Sequence, residues 1–247
     1  MLSEGKKLTE KKRLREMPLL EQPITIRLKF RKVGSLQYIS HLDLQRTFNR
    51  VISRACIPVW YTKGFNPHIK LVFSTPLSVG AQSVYEFLDI RIDRQMSCDE
   101  LKERLNRELT EELWIEEAYI PSTEFSQIAW ATYTIDLYCQ HADAQLAEQI
   151  QQVLTTSPLV LLKKTKSGEK EVDIIPMIHA VKSEYDEPQK RIQIHATLRA
   201  SSTEFLNPEL LITGLKQKLG IFTGDPLEER YDIMRTGVMT AEHSLFR

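Results

Sequence analysis

The chain has 247 residues, of which 42% are hydrophobic and 27% are charged, a composition typical of a globular protein with one large or two small domains. Its 33 basic and 33 acidic residues cancel, so the net charge alone indicates no polyanionic partner. The nine glycines never show the spacing G-x-G-x-x-G or G-x-x-x-x-G-K, which excludes the usual dinucleotide-binding loop and the P-loop.

Cysteine spacing and hydropathy predict a cytoplasmic protein that holds no metal. Cys56, Cys98 and Cys139 never form a C-x-x-C pair, so neither a zinc ribbon nor an iron–sulfur cluster is predicted, and their odd number fits reduced thiols. The apolar runs are too short to cross a bilayer. Residues 1–22 alternate in charge without an apolar core, so we expect a mobile or helical N-terminal extension rather than a signal peptide.

Charge is segregated along the chain although the total is zero. Residues 23–97 carry a net charge of +7, and residues 98–155 carry −9. Two explanations are open: each block presents its own field to a partner, or the two blocks neutralise each other across a contact.

The first half predicts an alternation of strands and helices. Residues 24–32 alternate apolar and polar side chains, which indicates a half-buried strand with its basic residues on the solvent side. Ser40 and Asp43 resemble a capping box that begins a helix, and Pro58 follows its end. A second capped helix begins after Ser97. Further strands are predicted at 59–61, 69–73, 84–91 and 114–120, with turns at 64–68 and 76–80. The order β-α-β-β-α-β is the ferredoxin-like arrangement.

The second half repeats this order less clearly and contains an extra hairpin. Strands are predicted at 130–139, 177–185 and 190–199, a helix at 142–154, a helix after Asn207 that ends at Gly220, and a hairpin at 159–175 that turns at Ser167-Gly168. We therefore predict an α+β protein of two tandem ferredoxin-like halves, residues 23–121 and 128–247, the second with the inserted hairpin. A single larger α+β domain is the alternative.

The basic side chains of the first half form the main candidate binding site. On the first helix, Arg46, Arg50 and Arg54 recur every four residues, about 6 Å apart along the axis. With Lys63 and Lys70 they are suited to line a track for a phosphate backbone.

Aromatic and polar residues complete this candidate site. Tyr61 and Phe65 are suited to stack on unpaired bases. We expect the turn at Gly64, Phe65, Asn66 and His68 to be more exposed and specific than packing alone requires. The alternative is that acidic residues of the second helix neutralise the arginines. Those acids are Glu100, Glu103, Glu108 and Glu111.

Two histidines of the same region are candidate catalytic groups. His41 occupies the first position of its helix, where the helix dipole favours a neutral imidazole. It is suited to act as a general base, with His68 as the acid partner. The alternative is structural: His41 packs on the sheet and His68 stabilises its own turn.

Six short motifs occur in order within residues 24–92. They are Phe30-x-Lys32-x-Gly34, Ser40-His41-Leu42-Asp43-x-x-Arg46, Arg54-Ala55-x-Ile57-Pro58, Gly64-Phe65-Asn66-Pro67-His68, Pro76-Leu77-x-x-Gly80, and Ser83-x-x-Glu86 followed by Asp89. Together they resemble the bacterial radical SAM-linked (radical SAM-associated) family, a domain of unknown function. That family is found fused to a cobalamin-binding-type radical SAM protein or encoded beside one.

The resemblance implies a partner more than a reaction. The chain has neither the cluster-binding cysteine triplet nor a D-x-H-x-x-G motif, so the radical chemistry would belong to the linked enzyme and no cofactor is expected in this chain. We expect an accessory protein of a radical SAM enzyme that binds RNA or a ribosome-related substrate. Two alternatives remain: a metal-independent ribonuclease that uses His41 and His68, and a protein-docking module without RNA contact.

Overall fold

The computed structural model describes residues 9, 12–14, 16–156, 158–165, 168–224 and 229–247. Eleven residues of the predicted N-terminal extension, 1–8, 10, 11 and 15, and Ser167 of the predicted hairpin turn lie outside the described residues. The chain divides into two compact units, Met1–Glu124 with Arg247 (unit 1) and Phe125–Phe246 (unit 2). Mixed α-helices and mostly antiparallel strands, as predicted for an α+β protein, make up both units.

Besides helical residues at 9, 12–14 and 16, unit 1 contains four strands and two α-helices among its described residues. They are β1 (Ile24–Lys32), α1 (His41–Arg54), β2 (Val72–Phe73), β3 (Ala81–Ile92), α2 (Cys98–Asn106) and β4 (Leu113–Tyr119). The strands lie in the order β4-β1-β3-β2, and each neighbouring pair is antiparallel.

Helix α1 forms where its capping signals predict. The Ser40 hydroxyl accepts a hydrogen bond from the backbone N–H of Asp43 at 3.1 Å, which satisfies one of the free N–H groups of the first turn. The apolar side of the helix packs on the sheet and joins the core of unit 1. Its buried members are Leu44, Phe48, Val51 and Ile52. The helix ends at Arg54.

Strand β1 has its alternating apolar residues in the core, but its basic residues are not simply on a solvent side. Ile26, Leu28 and Phe30 are buried as predicted, whereas Arg27 and Lys32 are buried as well. The prediction that the basic residues of this strand face water is wrong for these two. Arg27 pairs with Asp89, and the Lys32 ammonium donates to the carbonyls of Leu36 and Gln37, each at 3.3 Å.

Arg27 is only 1% exposed, and its partners explain why a charge is tolerated there. Its Nε and Nη2 atoms each donate to a different oxygen of Asp89 at 2.8 Å. Its Nη1 donates to the Thr123 hydroxyl at 2.9 Å. Such a bidentate, fully hydrogen-bonded pair offsets the loss of hydration.

The chain between α1 and β3 is less regular than predicted. The predicted strand 59–61 forms two isolated bridges, Val59 with Ile92 and Tyr61 with Ile69. Of the predicted strand 69–73, only β2, two residues long, pairs with β3.

Unit 2 contains six strands and two α-helices among its described residues. They are β5 (Ile128–Tyr138), α3 (Ala144–Thr155), β6 (Val160–Thr165), β7 (Gly168–Asp173), β8 (Ile178–Asp186), β9 (Arg191–Arg199), α4 (Glu209–Leu219) and β10 (Arg230–Thr240). Four of the strands lie in the order β10-β5-β9-β8, and β6 and β7 form a separate two-stranded sheet.

Two features of unit 2 differ from prediction. Strand β10 was not predicted: Arg235 and Gly237 interrupt its apolar alternation, although both are buried in the sheet. Helix α4 begins at Glu209, one residue later than expected for Pro208 at its first position, and Asn207 Oδ1 accepts a hydrogen bond from the Glu209 N–H at 3.2 Å. The predicted end at Gly220 is confirmed, since this residue has the left-handed conformation with φ 63°.

Candidate functional site

The arginines of α1 lie on the side of the helix away from the core. All three are exposed. Arg46 contacts Asp43 one turn earlier at 3.4 Å, and both side chains are more than half exposed, so this pair contributes little. Arg50 and Arg54 form no ion pair with any described residue.

The acidic helix α2 does not neutralise α1. Glu100 pairs with Arg104 at 2.5 Å and Glu103 pairs with Arg107 at 3.2 Å, each within α2 itself. The i,i+4 spacing makes these the nearest partners. The alternative interpretation of the charge pattern, in which these acids pair with the α1 arginines, is therefore wrong for Glu100 and Glu103.

Residues 61–70, which we term the edge loop, form a compact turn. The Thr62 N–H donates to the His68 carbonyl at 3.0 Å, and the His68 N–H donates to the Thr62 hydroxyl at 3.1 Å. The His68 Nδ1 atom also lies 3.1 Å from both the Thr62 hydroxyl and the Asn66 carbonyl. Gly64 has φ 134°, a conformation that side chains with a Cβ rarely adopt.

The tip of the edge loop presents an aromatic ring to solvent. Phe65 is 112% exposed relative to its reference state, and Tyr61 is 48% exposed. Lys63, Asn66 and Lys70 are exposed, and neither lysine forms an ion pair with a described residue. In the isolated chain this apolar ring is not buried, so it contributes nothing to the hydrophobic core.

The two predicted catalytic histidines are not assembled as a pair. The His41 ring packs edge-on against Phe73 of β2, with centroids 4.8 Å apart. His68 is engaged with its own turn, as described above. Among the described residues, no hydrogen bond or ring contact joins the two side chains. The geometry favours the structural role for both.

The edge loop adjoins α1 on one side. His41, the first residue of α1, touches Phe73. Near the other end of the helix, Ser53 and Tyr61 line the same pocket of about 360 Å³. The helix and the segment from Tyr61 to Phe73 are thus neighbours at both ends.

Lys70 lies on the opposite face of the sheet. Its neighbours Ile69 and Leu71 pack against the core on the α1 side, so alternation directs Lys70 the other way. There it lines a pocket of about 120 Å³ together with Thr25 and Arg91. The predicted site residues are therefore divided between two faces, and the edge loop lies where those faces meet.

Arg91 is a residue that the sequence analysis counted in the basic block but did not select. It lies on β3 opposite Thr25 of β1, and its guanidinium is 5.8 Å from the centre of the Trp60 ring. It forms no ion pair with any described residue. The only sequence feature that indicates an exposed Arg91 is its place between the apolar residues Ile90 and Ile92, which are both buried.

The possible metal ligands and the thiols are dispersed over the part of the chain that the structure describes. No group of three histidine, cysteine, aspartate or glutamate side chains is arranged to hold a metal ion there. The cysteines are free thiols, and burial raises the pKa of both Cys98 and Cys139. None of the described helices is long and apolar enough to cross a membrane.

The fold and the site together define a two-unit α/β protein with an exposed cationic and aromatic edge. Residues 25–208 match the model of a family described as uncharacterized protein conserved in bacteria (DUF2344), and the chain belongs to this family. No curated protein matches the chain.

Proposed function

We propose that this protein is an accessory recognition protein that binds single-stranded RNA at the edge of unit 1. The binding surface consists of Arg46, Arg50, Arg54, Tyr61, Lys63, Gly64, Phe65, Asn66, His68 and Lys70. The chemistry on the bound substrate would belong to a partner enzyme of the radical SAM class. This partner is proposed from the resemblance of the motifs in residues 24–92.

One observation carries the proposal: among the described residues, most cations of α1 and the edge loop have no acidic partner, whereas two cations of β1 have one. Lys29 and Arg31 of β1 bind Glu117 and Glu116 at 3.1 and 3.2 Å. Four cations of α1 and the edge loop form no ion pair with any described residue; they are Arg50, Arg54, Lys63 and Lys70. Cations without an acidic partner among the described residues are available to phosphates.

The exposed rings add a reason to prefer unpaired bases. A base stacked on an aromatic side chain contributes about 1–3 kcal/mol, and every base has a suitable face. In a duplex the bases are already stacked and cannot reach Phe65. A single strand that crosses the edge would meet Arg54 on one face, Phe65 at the tip and Lys70 on the other face.

The strand orders support, by analogy, the proposal that the two units are tandem ferredoxin-like domains. In both units the first strand pairs with the third and the fourth, giving the order 4-1-3-2 when β6 and β7 are set aside as an insertion. Four-stranded sheets of this kind include the common single-stranded RNA-binding modules. Fold alone does not determine function, so the edge loop carries the argument.

The salt dependence of RNA binding tests the proposal. We expect a fluorescein-labelled oligouridylate to bind with a log–log salt slope of about −3, because four phosphate contacts each contribute about 0.7 for a single strand. The double variant Lys63→Gln/Lys70→Gln should reduce the slope to about −1.4. Fluorescence anisotropy between low and moderate salt measures both values.

A matched variant controls for net charge. Lys190→Gln/Lys218→Gln removes two exposed lysines from unit 2 that form no ion pair with a described residue and should leave the slope unchanged. An equal effect of both double variants would mean nonspecific attraction and would contradict a defined surface. Absence of binding to any single-stranded RNA would end the proposal.

Protein docking is the second candidate, because apolar side chains are exposed near the same edge. Phe65 is fully exposed, and Tyr38 and Leu42 are 69% and 52% exposed. Exposed large apolar groups often mark a protein interface. Co-purification with the radical SAM protein after nuclease treatment, lost in Phe65→Ala but retained in Lys63→Gln/Lys70→Gln, would favour docking over RNA binding.

A further inference from the structure

The pocket of about 120 Å³ on the face of the unit 1 sheet opposite α1 combines two cations and a hydroxyl. Lys70 and Arg91 line it together with Thr25, Val72 and Asp89. Neither cation forms an ion pair with a described residue, and the Thr25 hydroxyl forms no hydrogen bond with one. Three donors therefore face one small space.

The one acid in the pocket is already neutralised. Both carboxylate oxygens of Asp89 accept hydrogen bonds from the buried Arg27 at 2.8 Å. This pair is close to neutral as a unit, so the pocket has an excess of two positive charges from Lys70 and Arg91. Such a field favours a doubly charged anion over a singly charged one.

The position of the Arg91 guanidinium is partly set before any ligand binds. The guanidinium carbon lies 5.8 Å from the centre of the Trp60 ring. The backbone N–H of Trp60 donates to the Arg91 carbonyl at 2.8 Å. Thr25 lies directly across the β1–β3 ladder from Arg91. A side chain held on an aromatic face loses less freedom when it binds an anion.

We infer that this pocket binds a phosphate monoester, in particular the phosphorylated end of the RNA strand that crosses the edge loop. The pocket volume of about 120 Å³ is sufficient for one phosphate group. A monoester carries a charge of about −1.5 to −2 near neutral pH, whereas an internal phosphodiester carries −1. This inference deepens the proposed function and rests on it for the identity of the ligand as RNA.

The test compares decauridylate with a 5′-phosphate, with a 3′-phosphate and with hydroxyl ends. We expect one phosphorylated form to bind about tenfold more tightly than the hydroxyl form, the equivalent of one hydrogen bond to a charged group. Thr25→Ala should reduce this preference, and Arg91→Gln should abolish it. Binding of the hydroxyl form should stay within about twofold of wild type.

A matched control removes an arginine with similar surroundings. Arg230 of unit 2 is exposed, and its guanidinium lies 4.0 Å from the centre of the Tyr138 ring. Arg230→Gln should keep the full preference for the phosphorylated end. Thermal unfolding of each variant confirms that the change is not a loss of folding.

The possible failures are distinguishable. RNA binding without any preference for a phosphorylated end, or a preference that survives Arg91→Gln, overturns the pocket assignment and leaves the proposed function standing. If no RNA binds, titration with inorganic phosphate tests the pocket through the backbone amide signals of Thr25 and Arg91. Shifts in wild type that vanish in Arg91→Gln would support the pocket with a small phosphorylated ligand. No shifts would overturn it.

Discussion

Removal of the Phe65 ring should weaken RNA binding and leave the free energy of unfolding almost unchanged. The side chain is fully exposed, and the hydrogen bonds between Thr62, Asn66 and His68 hold its turn without help from the ring. We therefore expect Phe65→Ala to change the free energy of unfolding by less than about 0.5 kcal/mol.

The same change should weaken RNA binding strongly. Loss of one stacked base costs about 1–3 kcal/mol, which corresponds to about a 5- to 150-fold increase in Kd. Since the ring is uncharged, the salt slope should not change. Phe65→Trp keeps an aromatic face and should bind nearly as well as wild type.

Phe73→Ala is the comparison for stability, because it removes the same atoms from a packed position. The Phe73 ring contacts Phe30, Phe48 and His41 at centroid distances of 6.4, 6.0 and 4.8 Å. We expect it to lower the free energy of unfolding toward the lower end of about 3–5 kcal/mol, since Phe73 is only partly buried. The measurements are anisotropy at fixed salt and thermal unfolding by circular dichroism. An unchanged Kd for Phe65→Ala, or an unfolding temperature lowered as far as in Phe73→Ala, would refute the assignment of Phe65 to a binding surface.

Two further predictions concern stability. Asp89→Asn leaves the buried Arg27 without its counter-ion and should lower the free energy of unfolding, measured with denaturant, by about 3–5 kcal/mol. Glu103→Gln breaks an exposed ion pair and should lower it by less than about 0.5 kcal/mol. Equal losses would contradict the role of burial. Burial and the hydrogen bond to Glu209 raise the pKa of Tyr231 to about 12. Because the unfolded tyrosine ionises near pH 10, the wild-type chain should lose stability between about pH 10 and pH 12, and Tyr231→Phe should flatten this part of the curve of unfolding temperature against pH.

Local signals predicted the helices of unit 1 well. Ser40 and Ser97 accept hydrogen bonds from the third residues of their helices, Asp43 and Glu100, as the capping pattern requires. Such bonds depend on residues three apart, so the sequence alone contains them. The chain divides into its two units after Glu124.

Strand β10 shows where the same reasoning fails. A period-two pattern identifies a strand only when its inward residues are apolar. Arg235 occupies an inward position of β10 and is fully buried, and its guanidinium nitrogens donate to the Tyr133 hydroxyl at 3.0 and 3.1 Å. Nothing near position 235 in the sequence indicates this partner, which is about a hundred residues away along the chain.

The candidate site divides in the same way. The spacing of the α1 arginines and the glycine-led bend at Phe65 are local features, and residue order alone determined both. Which face of the sheet Lys70 occupies, that Arg91 joins it, and that Arg27 takes up the charge of Asp89 were decided only by the tertiary structure. The physical reason is the distance along the chain between interacting residues. A helix cap or a helical stripe depends on residues within about one turn. The charge that stays free at a surface depends on the pairing of distant strands, as for Arg27 and Asp89, which are 62 positions apart.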